Sequence, residues 1–319
     1  MEIDTSTLRK EADAFLAGMP KGLQTRQTEA VRRAIQGDTE ALNQVRYSRN
    51  TPSPLPKGVS ATYLTSRLRL YTPMLKTDTP RPLLVYFHGG GWTFGSINSC
   101  SRFCGELVAQ AGISVLAVNY ALAPEAPFPH GLNDCIEAIR FAMQHAEEWG
   151  STSHLISAGG DSAGGNLAIA TALGMLSSDT IPLRSLVLFY PVTLAYSDNS
   201  ESWLRYGTGF ALDSELMEVF NQAYASQDAR HHLISVAHAP DNLLSQLPPT
   251  LLVAAERDIL CSQGRKFADL LKHLGVNIKR YELPGAVHLF ITVPGQPQAF
   301  QHALSLTASF LRPSPSETK

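Results

Sequence analysis

The sequence predicts an α/β fold with a mostly parallel central sheet flanked by helices. Three observations carry this expectation. Compact apolar runs recur along the chain. Helix-prone segments lie between them, and one long helical stretch interrupts the alternation. The runs are 82–88 (PLLVYFH), 113–120 (ISVLAVNY), 155–159 (LISAG), 185–191 (SLVLFYP) and 250–256 (TLLVAAE). Short continuous apolar runs mark strands buried on both faces. The run 277–283 (NIKRYEL) is more amphipathic, as expected of an outer strand. Helices are expected over 105–111, 132–149, 163–176, 262–274 and 297–311. Strands alternating with helices argue for a parallel sheet with right-handed crossovers, so both sheet faces are covered.

The 319 residues, 44% of them hydrophobic, suffice for a substantial core. Residues 1–50 hold Leu8, Phe15, Leu16 and Val31 in helix-like, charge-rich sequence, and the Pro-rich stretch 51–57 (TPSPLPK) closes them off. Residues 59–71 read as strands. Residues 196–246 contain no convincing central strand, look helical over 213–224, and are too long for a plain connection. The expected organisation is therefore a helical cap built from 1–50 and the insertion 196–246. The sheet core would comprise 51–195 and 247–319.

The strongest local signal is Gly160-Asp161-Ser162-Ala163-Gly164, a G-x-S-x-G pattern between the run LISAG and the helix-prone GNLAIATALG. Read alone, the pattern could be a plain Gly/Ser turn. A strand before it and a helix after it are the context in which such a serine is a nucleophile on a strained turn. The second signal is His88-Gly89-Gly90-Gly91-Trp92, directly after a buried strand. Glycines there leave backbone N–H groups open, and Gly89, Gly90 and Ala163 are the expected oxyanion donors. A phosphate loop is disfavoured, because neither G-x-G-x-x-G nor G-x-x-x-x-G-K-[ST] is present. His88 and Asp161 read as groups that fix the loop rather than as reacting groups.

A serine hydroxyl needs a base, normally a histidine oriented by a carboxylate. In the α/β-hydrolase chain order the acid and then the histidine follow the serine. Asp258 comes just past TLLVAAE and His288 just past NIKRYEL, so both belong at the carboxyl end of the sheet beside Ser162. Glu256 and Asp241 are rival acids. Glu256 is still inside the strand pattern, and Asp241 lies in the insertion. The other histidines lie in the insertion, in helices or before the nucleophile.

Four blocks together resemble the hormone-sensitive-lipase-like (bacterial family IV) serine esterases, which include acetyl esterases. They are HGGGW at 88–92, YALAPEAPFP at 120–129, GDSAGG at 160–165, and the pair around Asp258 and His288. The resemblance covers roughly 81–311. It implies an α/β-hydrolase fold with a helical cap, a triad of Ser162, Asp258 and His288, and backbone donors at Gly89, Gly90 and Ala163. Departures are Ala121 in place of the family's arginine, and Ile259 and Leu289 where the family often has Pro and Gly. The stretch 98–102 (NSCSR) also lacks the acidic residues common there among acetyl esterases.

The function expected is a serine carboxylesterase acting on short- to medium-chain acyl esters through an acyl-enzyme. The alternatives are an amidase or peptidase with the same triad, or a non-catalytic ligand-binding homologue. No cofactor and no metal site are expected. Cys100, Cys104, Cys135 and Cys261 form no C-x-x-C pair and read as reduced thiols. With 17% charged residues and a net charge of -2, nothing attracts nucleic acid, and the expected partner is a small-molecule ester. No apolar run approaches the ~20 residues of a membrane span, and the N-terminus is mixed and charged without an apolar h-region. The expected location is the cytoplasm. A homodimer is compatible with the sequence and not required by it.

Overall fold

The computed structural model describes residues 4–75, 77–176, 183–225 and 228–312. Its strands are β1 (Val59–Thr65), β2 (Leu68–Pro73), β3 (Leu83–Phe87), β4 (Ser114–Val118), β5 (Ile156–Asp161), β6 (Leu186–Phe189), β7 (Thr250–Arg257) and β8 (Ile278–Val287). They form one sheet in the order β1-β2-β4-β3-β5-β6-β7-β8. The β1–β2 and β2–β4 pairs are antiparallel, and every pair from β4 to β8 is parallel. The sheet is therefore mostly parallel, as the apolar runs predicted. The amphipathic run at 277–283 forms the edge strand β8.

The helices are α1 (Thr5–Gly18), α2 (Leu23–Ile35), α3 (Glu40–Ser48), α4 (Ser101–Ala111), α5 (His130–His145), α6 (Ala163–Leu176), α7 (Glu201–Arg205), α8 (Ser214–Ala225), α9 (Asp241–Leu244), α10 (Cys261–His273) and α11 (Pro297–Leu311). Two of the expected helices, α6 and α11, have the expected bounds. Helix α4 begins four residues before the expected 105, because 101–104 wind on from the loop that precedes them.

The strand β3 shows how the core divides. Leu83, Val85 and Phe87 point to one face and pack with Leu132 and Ile139 of α5 and Leu167 of α6. Leu84 and Tyr86 point to the other face and pack with Phe103 and Leu107 of α4 and Phe300 and Leu304 of α11. This is the period-2 alternation of a strand covered on both sides. Helix α6 is buried almost all round, which explains why its sequence shows no polar face.

The N-terminal helices divide between two neighbours. Helix α1 lies against β8 and α11, whereas α2 lies against α8 of the insertion. Gln24 of α2 donates to the carbonyl of Ala211 at 2.7 Å and accepts from the Asp213 N–H, and Arg32 pairs with Glu215 at 2.6 Å. So α2 is tied by side chains to the insertion, and both hang over the carboxyl ends of the strands.

Candidate active site

Ser162 occupies the turn between β5 and α6 with φ of 56°, in the left-handed region that costs a non-glycine residue roughly 1–2 kcal/mol. The flanking glycines permit this turn. A Cβ on Gly164 would fall 2.0 Å from the Phe87 carbonyl oxygen, and one on Gly160 would fall 2.4 Å from the same atom. Both strand β3 and helix α6 thus approach too closely for any side chain. The Ser162 N–H donates to the Phe189 carbonyl at 2.9 Å, which locks the turn to β6.

Asp258 follows β7 directly and His288 follows β8 directly. The structure brings both to Ser162. His288 Nε2 lies 3.1 Å from Ser162 Oγ, and His288 Nδ1 lies 2.6 Å from Asp258 Oδ2. All three side chains are buried, and the second carboxylate oxygen of Asp258 accepts the Leu260 N–H at 3.0 Å. The rival Glu256 is occupied elsewhere, accepting the Gly285 N–H. Leu289, where the resemblance puts a glycine, takes φ of 73°. The bulkier residue adopts the glycine-like backbone, and His288 keeps its place.

The glycine loop departs from expectation at one residue. The Gly89 N–H donates to Asp161 Oδ1 at 3.0 Å, so it is already committed and is not free to meet an oxyanion. A Cβ at Gly89 would fall 2.2 Å from the other Asp161 oxygen. The donors left open among the described residues are the N–H groups of Gly90, Gly91 and Ala163. Gly90 and Gly91 need their positive φ of 117° and 59°. A Cβ on Gly91 would strike the Phe220 ring at 2.2 Å. Spacing alone could not show that Gly91 rather than Gly89 has the free donor.

Asp161 and His88 fix this loop, as expected. Asp161 also accepts the Tyr86 hydroxyl at 2.9 Å, and burial pushes its carboxyl up to about 6. His88 is fully buried, stacks on Tyr120 at 4.4 Å, and donates from Nδ1 to the Gly89 carbonyl at 2.9 Å. Burial pulls its imidazole down to about 4. The YALAPEAPFP block braces the same loop. The Tyr120 hydroxyl donates to the His88 carbonyl at 2.7 Å, and the Ala123 N–H donates to the Trp92 carbonyl at 2.9 Å.

A match of the alpha/beta hydrolase fold family model spans residues 84–292, well over half the chain. The chain belongs to the α/β-hydrolase family. The motifs and relatives of this α/β hydrolase put it in the hormone-sensitive-lipase-like group. It is 36% identical over 249 residues to Lipase 2 of Moraxella sp. (strain TA144), across 68% of this chain and 56% of that one. The match thus spans little more than half of that relative's length. It is 34% identical over 246 residues to ethyl acetate hydrolase of Pseudomonas putida, across 74% of this chain and 76% of that one. The crystal structure of a thermostable esterase from Pseudomonas putida ECU1011 superposes with a TM-score of 0.81 over 99% of this hydrolase and 98% of that chain. At 24% identity, that likeness speaks for the fold.

Three positioning groups of this hydrolase escaped the sequence reading. Gln296, at the start of α11, donates from Nε2 to the Val287 and His288 carbonyls and accepts the Val287 N–H. It clamps the strand end that carries His288. The Tyr190 ring lies 4.3 Å from the His288 ring. Arg46 of α3 donates to the Thr93 and Ala123 carbonyls at 2.8 Å each and pairs with both oxygens of Glu125. None of these sits in a motif, so only the contacts could find them.

The cavity above Ser162 has a volume of 460 Å³. Its wall includes Gly90, Gly91 and His288, together with Leu212, Leu216 and Phe220 from the segment 196–246. Among the described residues no group of three or more His, Cys, Asp or Glu is arranged to hold a metal ion, and no helix is long and apolar enough to cross a membrane.

Proposed function

We propose that this chain is a serine carboxylesterase of short- to medium-chain acyl esters, with Ser162 as nucleophile. The observation that carries the reading is the single chain of contacts from Ser162 Oγ through His288 to Asp258. Esterase and lipase names among the relatives, including an ethyl acetate hydrolase, support the same class.

In the proposed reaction His288 Nε2 takes the Ser162 proton as Oγ attacks the ester carbonyl. Asp258 holds the imidazole through Nδ1 and stabilises the imidazolium that forms. The carbonyl oxygen, now an anion, is met by the N–H groups of Gly90, Gly91 and Ala163, the last aided by the N-terminus of α6. His288 gives its proton to the leaving alcohol, and the acyl group stays on Ser162. Water then enters, His288 takes its proton, and the acid leaves.

The helices of 1–50 and 196–246 act together as a cap in this reading, supported by the ties between α2 and the insertion. A cavity of 460 Å³ suits small acyl groups. A cytoplasmic location agrees with the four free, buried cysteines.

The test is Ser162→Ala with p-nitrophenyl butyrate. Turnover should fall by several orders of magnitude, and a fluorophosphonate should label the wild type at Ser162 and leave the variant unlabelled. Wild-type turnover in the variant refutes the assignment. A chain-length series from acetate to palmitate should peak at four to six carbons, on the order of what the cavity holds. Matched ester and anilide substrates separate the esterase from the amidase reading.

A further inference from the structure

The catalytic cavity contains a cation that no described residue neutralises. Arg49 directly follows α3, with its N–H on the Arg46 carbonyl, and its side chain lines the same cavity as Ser162 and His288. No other Lys or Arg lines that cavity among the described residues. The guanidinium carbon lies 5.2 Å from the centre of the Phe94 ring. The Phe94 N–H in turn donates to the Gly90 carbonyl at 2.7 Å. Arg49 thus stands beside the loop that carries the open donors.

Three other partly buried arginines have carboxylate partners, whereas the buried Arg69 donates to Asn98 and lies over the Tyr63 and Tyr71 rings. Arg46 pairs with Glu125, Arg257 with Asp13 and Arg280 with Glu282. The Arg49 guanidinium makes no ion pair and no hydrogen bond among the described residues. Burial pulls its pKa down, with no neighbouring carboxylate to pull it back. Arg49 is half-buried, so its guanidinium carries a desolvation cost that an anionic ligand in the cavity would offset. The one acid lining the cavity among the described residues, Asp161, is already engaged by Tyr86 and Gly89.

A second polar group lines the same cavity without a partner. Gln27 of α2 is only 3% exposed, and its amide makes no hydrogen bond among the described residues. Its neighbour Gln24, by contrast, spends its amide on Ala211 and Asp213. Leu212, Leu216, Phe220 and Leu289 make other parts of the wall apolar. A cavity with an apolar wall and a cationic, amide-bearing corner fits an amphiphilic anion.

Building on the esterase reading, we infer that the substrates are esters that carry a carboxylate, which Arg49 anchors in a charge-assisted fork with help from Gln27. The carboxylate belongs either to the acyl part, as in a half-ester of a dicarboxylic acid, or to the alcohol part, as in an acylated hydroxy acid. Arg49 acts here as a specificity determinant and takes no proton.

The test compares monoethyl glutarate with ethyl pentanoate, and 4-acetoxybutanoate with butyl acetate. Each pair is run on the wild type, Arg49→Met and Arg49→Lys. The readout is the anionic-to-neutral ratio of kcat/KM within each protein, which the folded fraction cannot alter. In one pair the ratio should fall about tenfold or more in Arg49→Met, mainly through KM, and be partly kept in Arg49→Lys. The pair that responds tells which side of the ester carries the anion. A ratio unchanged by Arg49→Met in both pairs overturns the inference. Calorimetry on Ser162→Ala separates this idea from the esterase reading. Glutarate or 4-hydroxybutanoate should bind it, and adding Arg49→Met should abolish that binding. If no ester is turned over but this binding is seen, the esterase reading fails and the anion site stands. Turnover of the neutral esters alone, with neither acid binding, removes the anion site and leaves the esterase.

Discussion

At the residue scale, Gly91 shows what a contact adds to a motif. Three glycines in HGGGW announce open backbone, but which N–H stays free depends on Asp161, a partner 72 positions away. Gly91→Ala should lower kcat/KM of a p-nitrophenyl ester by about a hundredfold or more, the usual cost of one lost oxyanion donor. Two causes act together: the new Cβ meets the Phe220 ring at 2.2 Å, and φ of 59° disfavours alanine. Adding Phe220→Ala removes the clash but leaves the backbone strain of roughly 1 kcal/mol, so the double variant should regain only part of the activity. Full activity in Gly91→Ala would mean that this N–H meets no charge in the reaction. Ser162, Asp258 and His288 were legible because chain order and strand ends locate them. Gln296 and Tyr190 were not, because each acts across the fold on a backbone or ring that no local pattern marks.

At the scale of elements, the strands were readable wherever burial on both faces removed all charged residues, as in β3 and β4, whose every residue is buried. The amphipathic β8 was readable as an edge for the opposite reason. The start of α4 was not readable, since Cys100 offers no side-chain cap and the turn before it runs smoothly into the helix. Helix α3 carries a function its sequence hides. Its Arg46 bridges the Thr93 carbonyl of the glycine loop to the Ala123 carbonyl and Glu125 of the YALAPE block. Arg46→Met should therefore loosen two loops at once and lower kcat about tenfold, because misplacing donors by a fraction of an ångström is costly. Glu125→Gln leaves the carbonyl contacts intact and should cost less. Equal losses in the two variants would show that the ion pair, rather than the bracing of the loops, is what matters.

At the scale of the whole molecule, the same loop sets how stability varies with acidity. His88, held down to about 4 against an ordinary 6.5, stays neutral in the fold while the unfolded chain takes up a proton. Its contribution is complete above about pH 6.5 and is lost as the pH falls towards 4. Asp161, pushed up to about 6 from 3.8, keeps its proton in the fold while the unfolded chain releases it. Its contribution is present below about pH 4 and is lost as the pH rises to 6. Each shift is worth roughly 3 kcal/mol, and the two slopes oppose each other over nearly one window. The native protein should therefore show a shallow net dependence from these two groups. Asp161→Asn preserves an oxygen acceptor for Tyr86 and Gly89 while removing the titration. Its unfolding free energy from urea melts should climb by roughly 3 kcal/mol more than that of the wild type between pH 4 and 6.5. Groups common to both proteins cancel in that difference. A difference that stays level across the window would mean that Asp161 is ionised throughout, and that Tyr86 and Gly89 fully offset the cost of burying its charge.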